Sequence, residues 1–185
     1  MASASVLQPY APSKFDALPE FEAALEARPL IEQAAAAARE LFTAHGLAET
    51  CGLAMLHKHF PLKADEVLVE EAVGEKSLIA PRPAATLETG ELLPYMFQLE
   101  EGAGGCFSLA PLEFAPRGIV NASNLTALLE NVRFINELGA LARKFGVRPS
   151  AARKRLAPPH TPPSKRPPPP SPPSPQSIRA CHSLA

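Results

Sequence analysis

The chain has no tryptophan, only two tyrosines and three cysteines in 185 residues. Cys51, Cys106 and Cys181 are odd in number and widely spaced, which excludes a disulfide framework and a Cys-x-x-Cys zinc pair. Reduced thiols in a cytoplasmic or nuclear setting are the expected state. No stretch of 18 apolar residues occurs, so neither a spanning helix nor a membrane partner is expected. The start, Met1-Ala-Ser-Ala-Ser5, has no basic region leading into an apolar run and does not read as a secretory signal. Asn121-Ala-Ser123 and Asn124-Leu-Thr126 are therefore read as helix-start residues rather than glycan acceptors.

Acidic residues stop at Glu137. Residues 1–137 hold all 19 acids against 9 bases, a net of −10, and residues 138–185 hold the other 9 bases, a net of +9. Such a split points to two physically distinct parts. Residues 148–185 carry 12 prolines, no aromatic residue and no apolar period. A segment of that composition cannot offset the entropy of ordering itself, so a disordered basic tail is expected. Three segments follow: an arm over 1–15, an α+β domain over 16–147 and the tail over 148–185.

Within the domain the hydrophobic period changes twice. Pro29 suits the first turn of a helix, and Leu30, Ala34, Ala37, Ala38 and Leu41 share one face up to a stop at Gly46. Asp16 is expected to cap a short preceding helix carrying Phe21 and Leu25. Residues 51–60, 65–73, 77–80, 93–99 and 106–114 read as strands between turn signals. The Glu101-Gly-Ala-Gly-Gly105 link favours a hairpin over a phosphate loop, because no helix follows it. A long amphipathic helix is expected from Asn121 or Ser123 to Gly146, with Leu125, Leu128, Val132, Ile135, Leu138 and Phe145 in its buried stripe. The architecture is thus an N-terminal helix, a four- to five-stranded mostly antiparallel sheet and a C-terminal helix. Both helices should pack on one face.

Few residues suggest chemistry, and no catalytic set is assigned. His57 and His59, two apart on an expected strand, would point the same way and could share a divalent metal. The third ligand would come from His45, Cys51, Glu66, Glu70 or Cys106. Without it the pair simply ends a strand, and no cofactor is expected. Cys51 with His45 or His57 has the residue types of a nucleophile and base, yet no local signature, and a buried structural thiol is the commoner case. In the acid cluster Asp65-Glu66 and Glu70-Glu71, Glu66 and Glu70 share one strand face with Leu68 while Glu71 shares the other with Val67 and Val69, and the cluster reads as a solvated face on a strand whose other side is core. In the tail, Arg166, Pro169 and Pro172 fit the Arg-x-x-Pro-x-x-Pro pattern taken by SH3 domains. The basic clusters Arg153-Lys-Arg155 and Lys165-Arg166 fit a two-part nuclear import signal or an acidic partner. Nucleic-acid binding is disfavoured by the acidic domain, and the partner otherwise stays open.

Gly52-Leu-Ala-Met-Leu-His57-Lys-His59 also resembles the first half of a cupin metal motif. The Gly52–His57 gap is one residue short, Glu66 is too distant, and no downstream histidine completes it. The run Leu53-Ala-Met-Leu-His57-Lys-His59-Phe60, followed by Glu66-Val-Leu-Val69-Glu70, resembles a group of uncharacterised fungal proteins. In that group a helix precedes a Leu-His-(Lys/Arg)-His-Phe strand and a Glu-x-x-Val-Glu strand. The resemblance covers about residues 30–145 and implies no activity. The expected function is therefore a non-catalytic binding or interaction protein. A metal-dependent enzyme centred on His57 and His59, and nucleic-acid or SH3 binding through the tail, are the alternatives.

Overall fold

The computed structural model describes residues 6–73, 76–146 and 150–153. Three helices, α1 (Pro12–Asp16), α2 (Phe21–Glu26) and α3 (Arg28–Ala44), lead into strands β1 (Cys51–Leu53), β2 (Glu66–Val73), β3 (Lys76–Pro83), β4 (Leu92–Glu101) and β5 (Phe107–Pro116). Helices α4 (Ala122–Glu130) and α5 (Val132–Phe145) and a short strand β6 (Ser150–Arg153) follow. The fold is α+β. Its sheet runs β1-β6-β4-β5-β2-β3 and is antiparallel throughout except where β2 meets β5 through Leu68–Glu113 and Val69–Phe114. Four of the six strands carry the sheet, β2 to β5, each eight or ten residues long. Among the described residues no helix is long and apolar enough to cross a membrane.

The helix ends follow local chemistry. Pro29 sits in the first turn of α3, where its missing N–H costs nothing. Gly46 and Gly146 take positive φ, 70° and 64°, just past α3 and α5. Asn121 caps α4, its side-chain oxygen accepting from the Ser123 and Asn124 N–H groups. The expected single C-terminal helix is in fact two. Asn131 leaves the helical region (φ −85°, ψ 64°), and its Oδ1 accepts from the Phe134 N–H at 3.1 Å, so it caps a new helix in mid-pattern. That bond turns its amide nitrogen toward His45 Nδ1, 3.3 Å away, which must accept. His45 Nε2 therefore carries the hydrogen and donates to Glu137 at 2.9 Å. One neutral imidazole thus ties the end of α3 to the start of α5.

The central core lies between α3, α5 and the β4–β5 hairpin: Ala38, Phe42, Phe97, Leu99, Leu109, Phe134, Ile135 and Leu138 pack together. Small side chains at Ala34 and Ala38 are the buried face of α3, joined by Phe42, whereas Leu30 is 43% exposed. Residues 6–15, expected to be a loose arm, are instead built in. Leu7 bridges in parallel to Leu109, with Gln8 N–H to Leu109 O at 2.9 Å and Leu109 N–H to Val6 O at 2.8 Å. The segment takes the edge of β5 that β2 leaves open. Phe15 of α1 is then fully buried against Leu68 and Leu112, and Lys14 forms an ion pair with Glu100. Strand β6 likewise falls inside the segment expected as tail, where it completes the ladders of both β1 and β4. Arg166, Pro169 and Pro172 lie outside the described residues.

The hairpin link turns at Gly104 and Gly105, both at positive φ. Its far side is held by α5. Asn136 Oδ1 accepts from the Phe107 N–H at 2.9 Å, and Arg143 pairs with Glu101 at 2.7 Å. Gly139 is what lets the helix come this close. A Cβ there would lie 2.2–2.4 Å from three Phe107 ring carbons. Gly139→Ala is expected to lower stability by about 1–3 kcal/mol despite alanine's better helix propensity. Adding Phe107→Leu should recover part of that loss in denaturant unfolding. A stabilised single variant would contradict this packing.

Candidate functional site

The ribbon after β1 departs most from expectation. Only Cys51–Leu53 is strand, and residues 54–57 are irregular, because the Lys58 N–H goes to the Pro19 carbonyl at 2.9 Å instead of to a sheet ladder. Two further bonds pin the same stretch to the first helices. Lys58 Nζ donates to Asp16 O at 3.2 Å, and Asp16 Oδ1 accepts from the Leu62 N–H at 2.8 Å. Asp16 therefore serves the ribbon and caps no helix. His57 and His59 flank the pinned residue rather than sharing a strand face. Their rings still meet, centroid to centroid at 4.4 Å and inclined by 72°, with Phe21 5.0 Å from His57. His57 Nδ1 lies 3.3 Å from the Met55 carbonyl.

This ribbon separates two clefts. The first, about 270 Å³, lies against α2, α3 and α5. Its walls are almost wholly aliphatic, including Leu18, Leu30, Ile31, Leu53, Leu138 and Leu141, with Gln98 the one polar side chain among the described residues. The second, about 430 Å³, runs from Cys51 past Met55, His57 and His59 to Met96, Tyr95 and Glu113. Its polar end was not foreseen. Glu113 and Glu70 are 6% and 5% exposed, although the sequence placed Glu70 on a solvated strand face. Tyr95 donates to Glu113 Oε2 at 2.5 Å, and Ser77 donates to Glu70. A buried carboxylate without donors would be costly, and these hydroxyls supply them.

The hairpin ladder shows how this cluster is made. Pro94 faces Phe114, Met96 faces Glu113 and Phe97 faces Pro111, so Tyr95 and Leu112 have no cross-strand partner. One extra residue on each strand leaves the register identical above and below. A bulge of this kind re-aims side chains. The signal that could have revealed it is Glu113 itself, a lone acid inside the apolar run from Leu109 to Ala115.

Of the other expected site residues, Cys51 lines the second cleft with His57 and His59, whereas His45, Glu66 and Cys106 are not among its lining residues. Cys51 lies beside Thr50 Oγ1 at 3.7 Å, and His45 is committed to Glu137 and Asn131. Glu66 accepts from Lys63, which with the Lys63 backbone N–H holds its carboxyl below the usual range. Cys106 is exposed on the hairpin. Among the described residues no three His, Cys, Asp or Glu side chains gather as a metal group. No protein-family model, curated protein or solved structure matches the chain.

Both tyrosines are strongly perturbed. Burial, then the nearby Asp16 and Glu66 carboxylates, pushes Tyr10 up to about 12. Burial, with Glu113 next to it and Glu70 behind, pushes Tyr95 higher still. A phenol whose folded value is raised contributes stability in full below its unfolded value of about 10, and the contribution is lost as pH rises through the folded value. With two tyrosines in the chain, absorbance at 295 nm should show no tyrosinate step near pH 10 while the protein is native, and both groups titrating there in denaturant. A native step near 10 would contradict the burial of the cluster.

Proposed function

We propose that this domain is a non-catalytic binding module and that it docks a basic amphipathic helical segment in the apolar cleft between α2, α3, α5 and residues 53–56. One observation carries the reading: a cleft that the described residues line with aliphatic side chains and a single polar one, whose wall residue Leu30 is 43% exposed. Next to it α2 holds Phe21 and Leu25, 45% and 39% exposed and four residues apart, hence on one helix face. Apolar surface continuing from a cleft onto neighbouring helices is the geometry that helix-in-groove recognition uses.

Charge argues for a basic partner. The domain's first 137 residues carry a net of −10, and Glu22 and Glu26 stand exposed on α2 beside the apolar stripe. A partner presenting leucine-type anchors on one face and lysine or arginine on the other would satisfy both the cleft and its rim. Catalysis has weaker support: Cys51 shares the second cleft with His57 and His59, but His45 is committed to Glu137 and Asn131, and among the described residues no three His, Cys, Asp or Glu side chains gather as a metal group. Association through Arg166, Pro169 and Pro172 rests on the sequence pattern alone.

A fluorescein-labelled Leu/Lys amphipathic helical peptide is the probe. Titrated with the full chain, it should bind saturably with a Kd on the order of micromolar. Leu30→Asp should weaken binding about tenfold or more while leaving the melting curve intact, because Leu30 is already half in solvent. A Leu/Glu peptide of the same pattern should bind far more weakly. No binding, equal binding of the two peptides, or an unaffected Leu30→Asp variant would each overturn the reading.

A further inference from the structure

We infer that the second cleft is a binding site for a small arylalkylamine, a primary ammonium on a flat apolar body, whose charged nitrogen sits at Glu113 and Tyr95. The cleft is graded from end to end. His59 is exposed at one end, and Tyr95 and Glu113 are buried at the other. Between them lie the apolar side chains of Leu53, Met55, Leu56, Ile79 and Met96. At about 430 Å³ the cleft has the size of a small-molecule site, in which apolar walls surround a few placed polar groups.

The buried end decides the charge of the ligand. The described lining brings a glutamate there and no lysine or arginine. Glu70, also buried, stands behind on β2, close enough to act on the same phenol. An anion entering this end would meet acids in a medium of low dielectric, whereas a cation gains from the same field. Tyr95 gives its hydrogen to Glu113 Oε2, which leaves the phenol oxygen as an acceptor. An ammonium group carries three N–H donors and no acceptor, so one can serve the carboxylate and another the phenol oxygen. A quaternary ammonium has the charge but none of these donors.

The walls decide the body. Met55 and Met96 both line this cleft, and thioethers are flexible and make favourable contacts with aromatic rings. Toward the exposed end the His57 and His59 rings meet edge to face, and Phe21 lies against His57. The bond from the Lys58 N–H to the Pro19 carbonyl holds the ribbon that carries both imidazoles. A flat ring between the thioethers, with its ammonium pointing inward, matches this order of side chains. A bare inorganic cation would leave the apolar stretch unused.

The probe is phenethylamine, titrated into the full chain with isotope-labelled methionine methyl groups and followed by NMR. The chain has three methionines, and Met55→Leu and Met96→Leu assign their signals. Met55 lines both clefts and Met96 only the second, so Met96 reports this site. Its signal should move saturably with a Kd below about 1 mM while that of Met1 stays still. Phenethyl alcohol and phenethyltrimethylammonium should bind about tenfold more weakly or worse, and hydrocinnamate should not bind. N-acetyl-lysine methylamide should leave Met96 unmoved, which separates a free arylalkylamine from the lysine side chain of a protein. Glu113→Gln should weaken binding about tenfold, with circular dichroism to check that it folds; the ligand series on the unaltered chain tests the charge independently of that variant. Leu30→Asp should change nothing, because Leu30 lines only the first cleft. A still Met96 signal overturns the inference. So does equal binding of the alcohol or of the lysine amide, a folded Glu113→Gln variant that binds as before, or loss of binding in Leu30→Asp.

Discussion

Tyr95 is the hinge of this structure. An uninterrupted ladder would have set it opposite Glu113 as an ordinary cross-strand pair. With one residue unpaired on each strand of the hairpin, its hydroxyl reaches the Glu113 carboxylate at 2.5 Å. The second buried carboxylate, Glu70, comes from β2 and lies close enough to oppose ionisation of the same phenol. Two acids in one apolar interior are tolerable only with donors in reach, because desolvation alone would make either prohibitive. The hydroxyls of Tyr95 and Ser77 meet part of that demand. At this same point β2 takes over the edge of β5 from the N-terminal segment, so the polar cluster sits where the sheet changes its neighbours.

From that junction the rest can be followed outward. The ribbon after β1 crosses the β4 side of the sheet without joining it, tied to α1 and α2 through Pro19, Asp16 and Lys58. Because it stands apart from the ladder, it leaves a cleft on each side. One is walled by the small and aliphatic side chains of α2, α3 and α5. The other is floored by Tyr95 and Glu113. The alanines that give α3 its helix propensity also keep its surface low, which is why the first cleft is open and apolar. Recognition, as proposed, would thus use one bank of this strip of chain.

Much of this could be read beforehand where the cause is local. The Asn121 cap, Pro29 in a first turn, the stops at Gly46 and Gly146 and the hairpin around Gly104 depend on residues within a few positions of one another. Glu70 could not be placed that way. Its strand carries acids at Glu66, Glu70 and Glu71 around the apolar Val67-Leu-Val69, and only distant elements show that Glu70 is covered. Asn131 was hidden for the opposite reason. The apolar stripe runs on through it, and only the backbone turn and its bond to Phe134 break the helix. The histidines were correctly singled out as neighbours but for the wrong reason: the pinning of Lys58 joins them, not strand alternation. Residues 6–15 have no period, and their order comes from an edge of β5 that no local pattern announces.

The claim on which these arguments rest is that Tyr95 and Glu113 form one buried unit rather than two independent residues. A double-mutant cycle tests it directly. Tyr95→Phe, Glu113→Gln and the combined variant would be unfolded in urea at neutral pH. The account predicts a coupling energy above about 1 kcal/mol, with the double variant losing clearly less than the sum of the single losses. Losses that add to within about 0.5 kcal/mol would show that the hydroxyl and the carboxylate do not depend on each other, and would contradict it.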